Sequence, residues 1–169
     1  RDIAQRFNHQ YGEIFVIPEG VIDQESSVLP GLDGRKMSKS YGNIIPLFCD
    51  SKTLRKHVMK IKTNSLEPGE PKSSEDCLLF DIYKSFASDS QISSMKRDLE
   101  DGISWGDAKN QLYELLDEQL STHRLRYDEL MSDPSYLDKV LQEGAERARE
   151  VANLNLNEIK SAIGLGSLS

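Results

Sequence analysis

Residues 29–43 read Leu-Pro-Gly-Leu-Asp-Gly-Arg-Lys-Met-Ser-Lys-Ser-Tyr-Gly-Asn, and no other stretch limits the fold as strongly. Pro30, Gly31, Gly34 and Gly42, with several small polar residues, leave neither a helical period nor a strand alternation. The stretch is therefore predicted to be a mobile loop, with regular structure arranged on either side of it. Arg35, Lys36 and Lys39 fall within five positions of this loop. Cations on a loop that can close suit a polyphosphate, because charge building on a departing phosphate can be met as it forms. The plainer alternative is a basic turn facing solvent.

Upstream of the loop, Ile3, Phe7 and Tyr11 recur at four-residue spacing, and Gly12 suits the position just past a helix end. Glu13-Ile14-Phe15-Val16-Ile17, stopped by Pro18, reads as a short buried strand, and 26–29 as a second. A helix followed by strands fits the closing half of a parallel α/β sheet. The loop would then leave a strand's carboxyl end, where ligands of such sheets bind. Downstream, Asp50 or Ser51 is predicted to cap a helix running to about Lys62, with Leu54, Val58 and Ile61 facing inward. Its other face carries Lys52, Arg55, Lys56 and Lys60. Residues 63–74 form a Pro- and Gly-containing boundary, and beyond it the pattern is helical. Successive stripes are Leu78/Leu79/Ile82/Tyr83/Phe86, Ile92/Met95/Leu99, Ala108/Leu112/Leu115/Leu116/Leu120, and a long one from Leu137 to Ala152. The long stripe is introduced by Asp133-Pro134, and Leu156, Ile159 and Ile163 mark a last short helix. The expected fold is thus an α/β remnant over 1–66 and an all-α unit over 67–169.

The 169-residue chain has a net charge of −7, unevenly distributed. Residues 31–62 hold eight basic and two acidic residues, whereas 63–169 hold eleven basic and twenty-one acidic. Positive charge is therefore concentrated on the loop and the helix behind it. The overall balance argues against nonspecific DNA binding without excluding a shaped RNA site. Cys49 and Cys77 are too few for a disulfide framework or a zinc site. No apolar run is long enough for a membrane span, and no secretory signal opens the sequence, so a cytoplasmic location is expected. Trp105, between Gly102 and Gly106, reads as a plug under a helix junction or, alternatively, as a base-stacking ring. Arg124 and Arg126 fall on different faces of their helix and are candidates for RNA contact.

The string Lys36-Met37-Ser38-Lys39-Ser40, with its Gly-Leu-Asp-Gly lead-in and Gly42-Asn43 exit, resembles the second signature of class I aminoacyl-tRNA synthetases. The flanks narrow the resemblance. Arg1-Asp2-Ile3-Ala4-Gln5-Arg6-Phe7-Asn8 with Tyr11-Gly12, then Gly106-Asp107-Ala108-Lys109 and 144–150, look like bacterial tryptophanyl-tRNA synthetases. The family's first signature is not found, since His9, His57 and His123 open no such motif, so a C-terminal half of a longer enzyme is expected.

The resemblance implies a Rossmann-type catalytic domain whose end occupies 1–66, followed by a helical, anticodon-binding-like domain over 67–169. It implies ATP-dependent activation of tryptophan to its adenylate and transfer to tRNA(Trp), with Mg2+ accompanying ATP and no metal ligand assignable in this chain. Lys36 and Lys39 match the family's catalytic lysines. Met37, Ser38 and Ser40 are implied ATP contacts, and Val28 and Leu29 are implied to offer backbone to the adenine. The tryptophan pocket is expected mostly outside this chain, and a homodimer is expected for the whole enzyme. This half alone is expected to be inactive. Two alternatives remain open: a nonenzymatic tRNA-binding or helical interaction module, and a class I synthetase of another amino-acid specificity.

Overall fold

The computed structural model describes residues 1–21 and 29–166. The chain forms two compact units, one comprising Arg1–Ile22 with Leu130–Ser169 and the other Asp23–Glu129. Among the described residues six α-helices form: α1 (Asp2–Tyr11), α2 (Ser51–Met59), α3 (Leu78–Lys84), α4 (Asp89–Glu100), α5 (Trp105–Ser132) and α6 (Pro134–Ala162). A 3-10 turn, Lys39–Tyr41, lies inside the glycine-bearing loop.

In the first unit, α1 ends where Gly12 takes a φ of 97°. The expected strand over Glu13–Ile17 does not form. Its backbone is captured instead by the Asn8 side chain, whose Oδ1 accepts from Phe15 N–H at 2.9 Å and Ile14 N–H at 3.2 Å. Asn8 Nδ2 donates back to the Phe15 carbonyl at 2.7 Å. Phe15 then meets Phe7 edge-on, with ring centroids 4.8 Å apart. An extended segment needs a neighbouring edge to pair with, and no described residue supplies one. Of the other expected strand, 26–28 lie outside the described residues. The long C-terminal stripe is one continuous 29-residue helix rather than two, with Asp133 accepting from Tyr136 N–H at its start. Asn153, Asn155 and Asn157 lower helix propensity only slightly, so nothing near 153–157 breaks it. None of its described residues is buried.

The second unit holds the core. Leu54, Val58 and Ile61 pack with Leu79, Ile82, Met95, Leu99, Ala108, Leu112 and Leu116, all essentially inaccessible to solvent. The helix that positions the loop is capped as expected, Asp50 accepting from Thr53 N–H at 2.9 Å. It ends at Met59, three residues early, and its terminal carbonyl is taken by Lys109 Nζ at 3.2 Å. Burial lowers the affinity of that ammonium for its proton. The start of α5 is set by Ser104, whose hydroxyl accepts from Asp107 N–H at 3.0 Å. Leu32, at the root of the loop, joins the same core, and its carbonyl accepts from Lys62 N–H at 2.9 Å. Loop, α2 and the helices α3–α5 therefore share one apolar interior.

The 67–72 segment lies on the end of α4. Gly69 N–H donates to the Gly102 carbonyl at 2.8 Å, with the Gly102 backbone so close that a Cβ there would sit 2.6 Å from Gly69 C. Lys72 is 1% exposed, and its ammonium donates to the carbonyls of Glu67 and Glu70, both at 2.9 Å. The same ammonium lies 5.6 Å from the centre of the Trp105 ring, whose Nε1–H donates to Asn64. Trp105 is thus the plug at a helix junction, held by a cation and a side-chain amide. Among the described residues, no helix is long and apolar enough to cross a membrane.

Candidate active-site loop

Residues 29–43 lie within the second unit and form a loop closed upon itself. Gly31 N–H donates to the Arg35 carbonyl at 2.7 Å, and Met37 N–H to the Leu29 carbonyl at 3.1 Å. Pro30 and Lys36 form an isolated antiparallel bridge. Gly34 and Gly42 occupy the left-handed region at φ 85° and 64°, which side-chain-bearing residues rarely adopt. At the loop's exit Leu32 N–H donates to the Asn43 carbonyl at 2.9 Å, bringing entry and exit together.

The polar centre is Asn43, only 4% exposed. Its Oδ1 accepts from Ser38 N–H at 2.8 Å. Its Nδ2 donates to Asp33 Oδ1 at 2.7 Å and to the Lys36 carbonyl at 3.2 Å. The amide cannot be turned over, because Oδ1 would then face a carboxylate and a carbonyl with no proton to share. Asp33 also accepts from Arg35, at 2.7 Å from Nε and 2.6 Å from Nη2. Donation from Asn43, and then from Arg35, holds the Asp33 carboxyl down to about 2.

This network separates the three cations that the composition groups together. Arg35 is neutralised by Asp33 and lies 4.5 Å from the centre of the Tyr41 ring. Lys36 and Lys39 are exposed, and neither side chain has a hydrogen-bond or ion-pair partner among the described residues. They leave the loop on either side of half-buried Met37 and Ser38, with the Ser38 hydroxyl accepting from Ser40 N–H at 3.3 Å. Ser40 itself is exposed, and Leu29 is 37% exposed at the loop's entry. Val28 lies outside the described residues. Among the described residues no group of His, Cys, Asp or Glu gathers that could hold a metal ion.

Away from the loop, Lys52 and Lys56 on the exposed face of α2, and Lys60 just past its end, have no side-chain partners among the described residues. Arg55 is held by Asn110 Oδ1 at 3.0 Å. Arg124 and Arg126 do lie on different faces, and each is ion-paired, to Asp117 and to Glu129. Sequence reasoning missed Asn43, Asp33 and Gly31 as working parts. The signal was present in the Gly-Leu-Asp-Gly lead-in and the Gly-Asn exit, since Asn and Asp satisfy backbone groups where glycines bend a chain.

The profile of the tRNA synthetases class I (W and Y) family matches residues 1–121. The tryptophan–tRNA ligase of Neisseria meningitidis is 47% identical over 168 residues, covering 99% of this chain and 50% of the relative. That of Bordetella parapertussis is 49% identical over 170 residues, covering 99% of this chain and 38% of its own length. The crystal structure of Campylobacter jejuni tryptophanyl-tRNA synthetase, complexed with ADP and tryptophan, aligns with a TM-score of 0.80 at 40% identity. It covers 98% of this chain and 52% of that one. The chain spans half or less of the length of these two ligases. With 121 of its residues matched by the family profile and its length covered by such relatives, the chain belongs to the class I tRNA synthetases of the W and Y group.

Proposed function

We propose that the protein carrying this chain is a tryptophan–tRNA ligase, and that residues 29–43 are the loop acting on ATP during tryptophan activation. The observation that carries this reading is the pair of exposed, unpartnered ammonium groups, Lys36 and Lys39, on a backbone held internally by Asn43. A carboxylate of tryptophan attacks the α-phosphorus of ATP and pyrophosphate departs. Charge therefore grows on the leaving oxygens, and cations already in place stabilise it without reorganising. Lys39 is the first choice for that contact, with Lys36 beside it. Ser38 and Ser40 supply short hydroxyls near the phosphates, Met37 anchors the segment between the lysines, and Leu29 and Val28 offer backbone to the adenine. Magnesium would be carried by the nucleotide's phosphates.

In this reading residues 1–66 end a Rossmann-type catalytic domain and 67–169 form the helical domain that meets tRNA(Trp). Arg124 and Arg126 are engaged with acids, whereas Lys52, Lys56 and Lys60, which precede the helical domain, are among the exposed cations open to an RNA backbone. Tryptophan specificity rests on the relatives' identities, and the homodimer and cytoplasmic location belong to the same proposal.

The test is Lys39→Ala in the full-length protein, measured as single-turnover adenylate formation at saturating ATP and tryptophan. The rate should fall by about 10²-fold, the order found when one preorganised charge-stabilising donor is removed. Substrate affinities should change less, because the contact strengthens only as pyrophosphate forms. An unchanged rate would remove Lys39 from the chemistry.

A further inference from the structure

Asn43 touches both sides of the segment that presents the lysines, although its own side chain is closed off from solvent. Its Oδ1 holds the amide of Ser38, the residue before Lys39, at 2.8 Å. Its Nδ2 holds the carbonyl of Lys36 at 3.2 Å. One planar amide therefore spans Met37 and fixes the backbone from which both lysines depart. Asp33 orients that amide in turn at 2.7 Å, and is itself clamped by Arg35. Gly31 provides the space, because a Cβ there would lie 2.3 Å from Asn43 Nδ2.

We propose that Asn43 is a positioning residue for the reaction: held by Asp33, its amide sets the spacing and direction in which Lys36 and Lys39 meet the departing pyrophosphate. The inference rests on the adenylate-forming reading above. Asn43 touches no substrate and acts only through the loop. A rigid amide between the two lysines matters because a misplacement of about 1 Å can cost on the order of 10²-fold in rate. The Arg35–Asp33 pair has a corresponding part. It withdraws one cation from the phosphate site and uses it to hold the Asp33 carboxylate in place as an acceptor for Asn43.

The discriminating substitution is Asn43→Asp in the full-length protein, which keeps the shape and the acceptor for Ser38 N–H. It removes the donor to Lys36 and sets a second carboxylate against Asp33. Adenylate formation should slow by about 10-fold or more, since pre-formed geometry is lost, while the KM for ATP moves less than about 3-fold. Adding Lys39→Ala to Asn43→Asp should cost little beyond Lys39→Ala alone, because groups acting as a unit are non-additive. The reversed pair Asp33→Asn/Asn43→Asp restores one donor and one acceptor across that contact, and should recover part of the rate lost in Asn43→Asp.

A merely structural Asn43 would lower stability without this coupling, so multiplicative losses in Asn43→Asp/Lys39→Ala would overturn the proposal. So would a normal rate in Asn43→Asp alongside a slow Lys39→Ala. If Lys39→Ala itself were normal, the adenylate reading of the loop would fail first and this inference with it. Should Asn43→Asp not fold, the cycle is run with Asn43→Ser, which keeps a small acceptor and loses the Nδ2 donor, with the same outcomes deciding.

Discussion

Adding one methyl group at Gly31 is a direct test of the loop's internal packing. A Cβ at this position would stand 2.3 Å from Asn43 Nδ2, 2.4 Å from Asn43 Cγ and 2.7 Å from the Asn43 carbonyl oxygen. The side chain could swing away, but the carbonyl is fixed by Leu32 N–H at 2.9 Å, so the backbone of the exit segment must move as well. Overpacking of this kind costs about 1–3 kcal/mol, and each hydrogen bond abandoned by the expelled amide adds about 1 kcal/mol, less where water takes its place. With bonds to Ser38, Asp33 and Lys36 at stake, a local loss of about 2–4 kcal/mol follows for Gly31→Ala. Amide hydrogen exchange reads this directly. The Ser38 and Leu32 amides should exchange about 30-fold to several hundred-fold faster, while the amides of α5 are barely affected. Gly20→Ala is the control, because nothing lies within 4 Å of its Cβ, and it should change stability by no more than about 0.5 kcal/mol. Unchanged protection at Ser38 and Leu32 in Gly31→Ala would refute the argument, since the loop would then accommodate the methyl group with its central hydrogen bonds intact.

Three other outcomes follow from the same structure. The Asp33 carboxyl sits at about 2, below its ordinary 3.8, so its contribution to loop order is complete above pH 3.8 and disappears as pH falls through 2. A carboxylate NMR titration should place its midpoint near 2 and move it upward in Asn43→Ala; a midpoint unmoved by that change would refute the assigned cause. Leu112→Ala, at a fully buried position of α5, should destabilise the second unit by about 2–5 kcal/mol in denaturant unfolding. Replacing Lys52, Lys56 and Lys60 together by Gln in the full-length protein should weaken tRNA binding and flatten its log–log salt slope by about 2–3, as expected when three phosphates are no longer neutralised. An identical slope would place the RNA elsewhere.

What was legible in the chain was mostly what apolar periodicity and capping control. Leu54, Val58 and Ile61 face the core, Asp50 caps α2, and the five predicted inward positions of α5 are all buried. Strand formation was not legible, because a strand depends on an edge supplied from elsewhere, whereas Asn8 offered Ile14 and Phe15 a local alternative. The buried state of Lys72 was likewise hidden, since lysine is read as surface until two carbonyls and a ring converge on it. At the site, Lys36 and Lys39 could be chosen from the string itself. That Arg35 is not a third free cation depends on Asp33 two residues before it, and on Asn43 eight residues after it, which no periodicity reports.

The buried ammonium of Lys72 also divides the chain's amines by chemical accessibility. An acylating reagent needs a deprotonated, approachable nitrogen. Lys36 and Lys39 meet the reagent on the surface, whereas Lys72 is sealed beneath Trp105 with its protons shared between two carbonyls. Labelling of Lys72 must wait for the 67–72 segment to lift from the end of α4. Its rate, set against that of the exposed amines in the same digest, is therefore a clock for one local opening event, and needs no probe built into the protein.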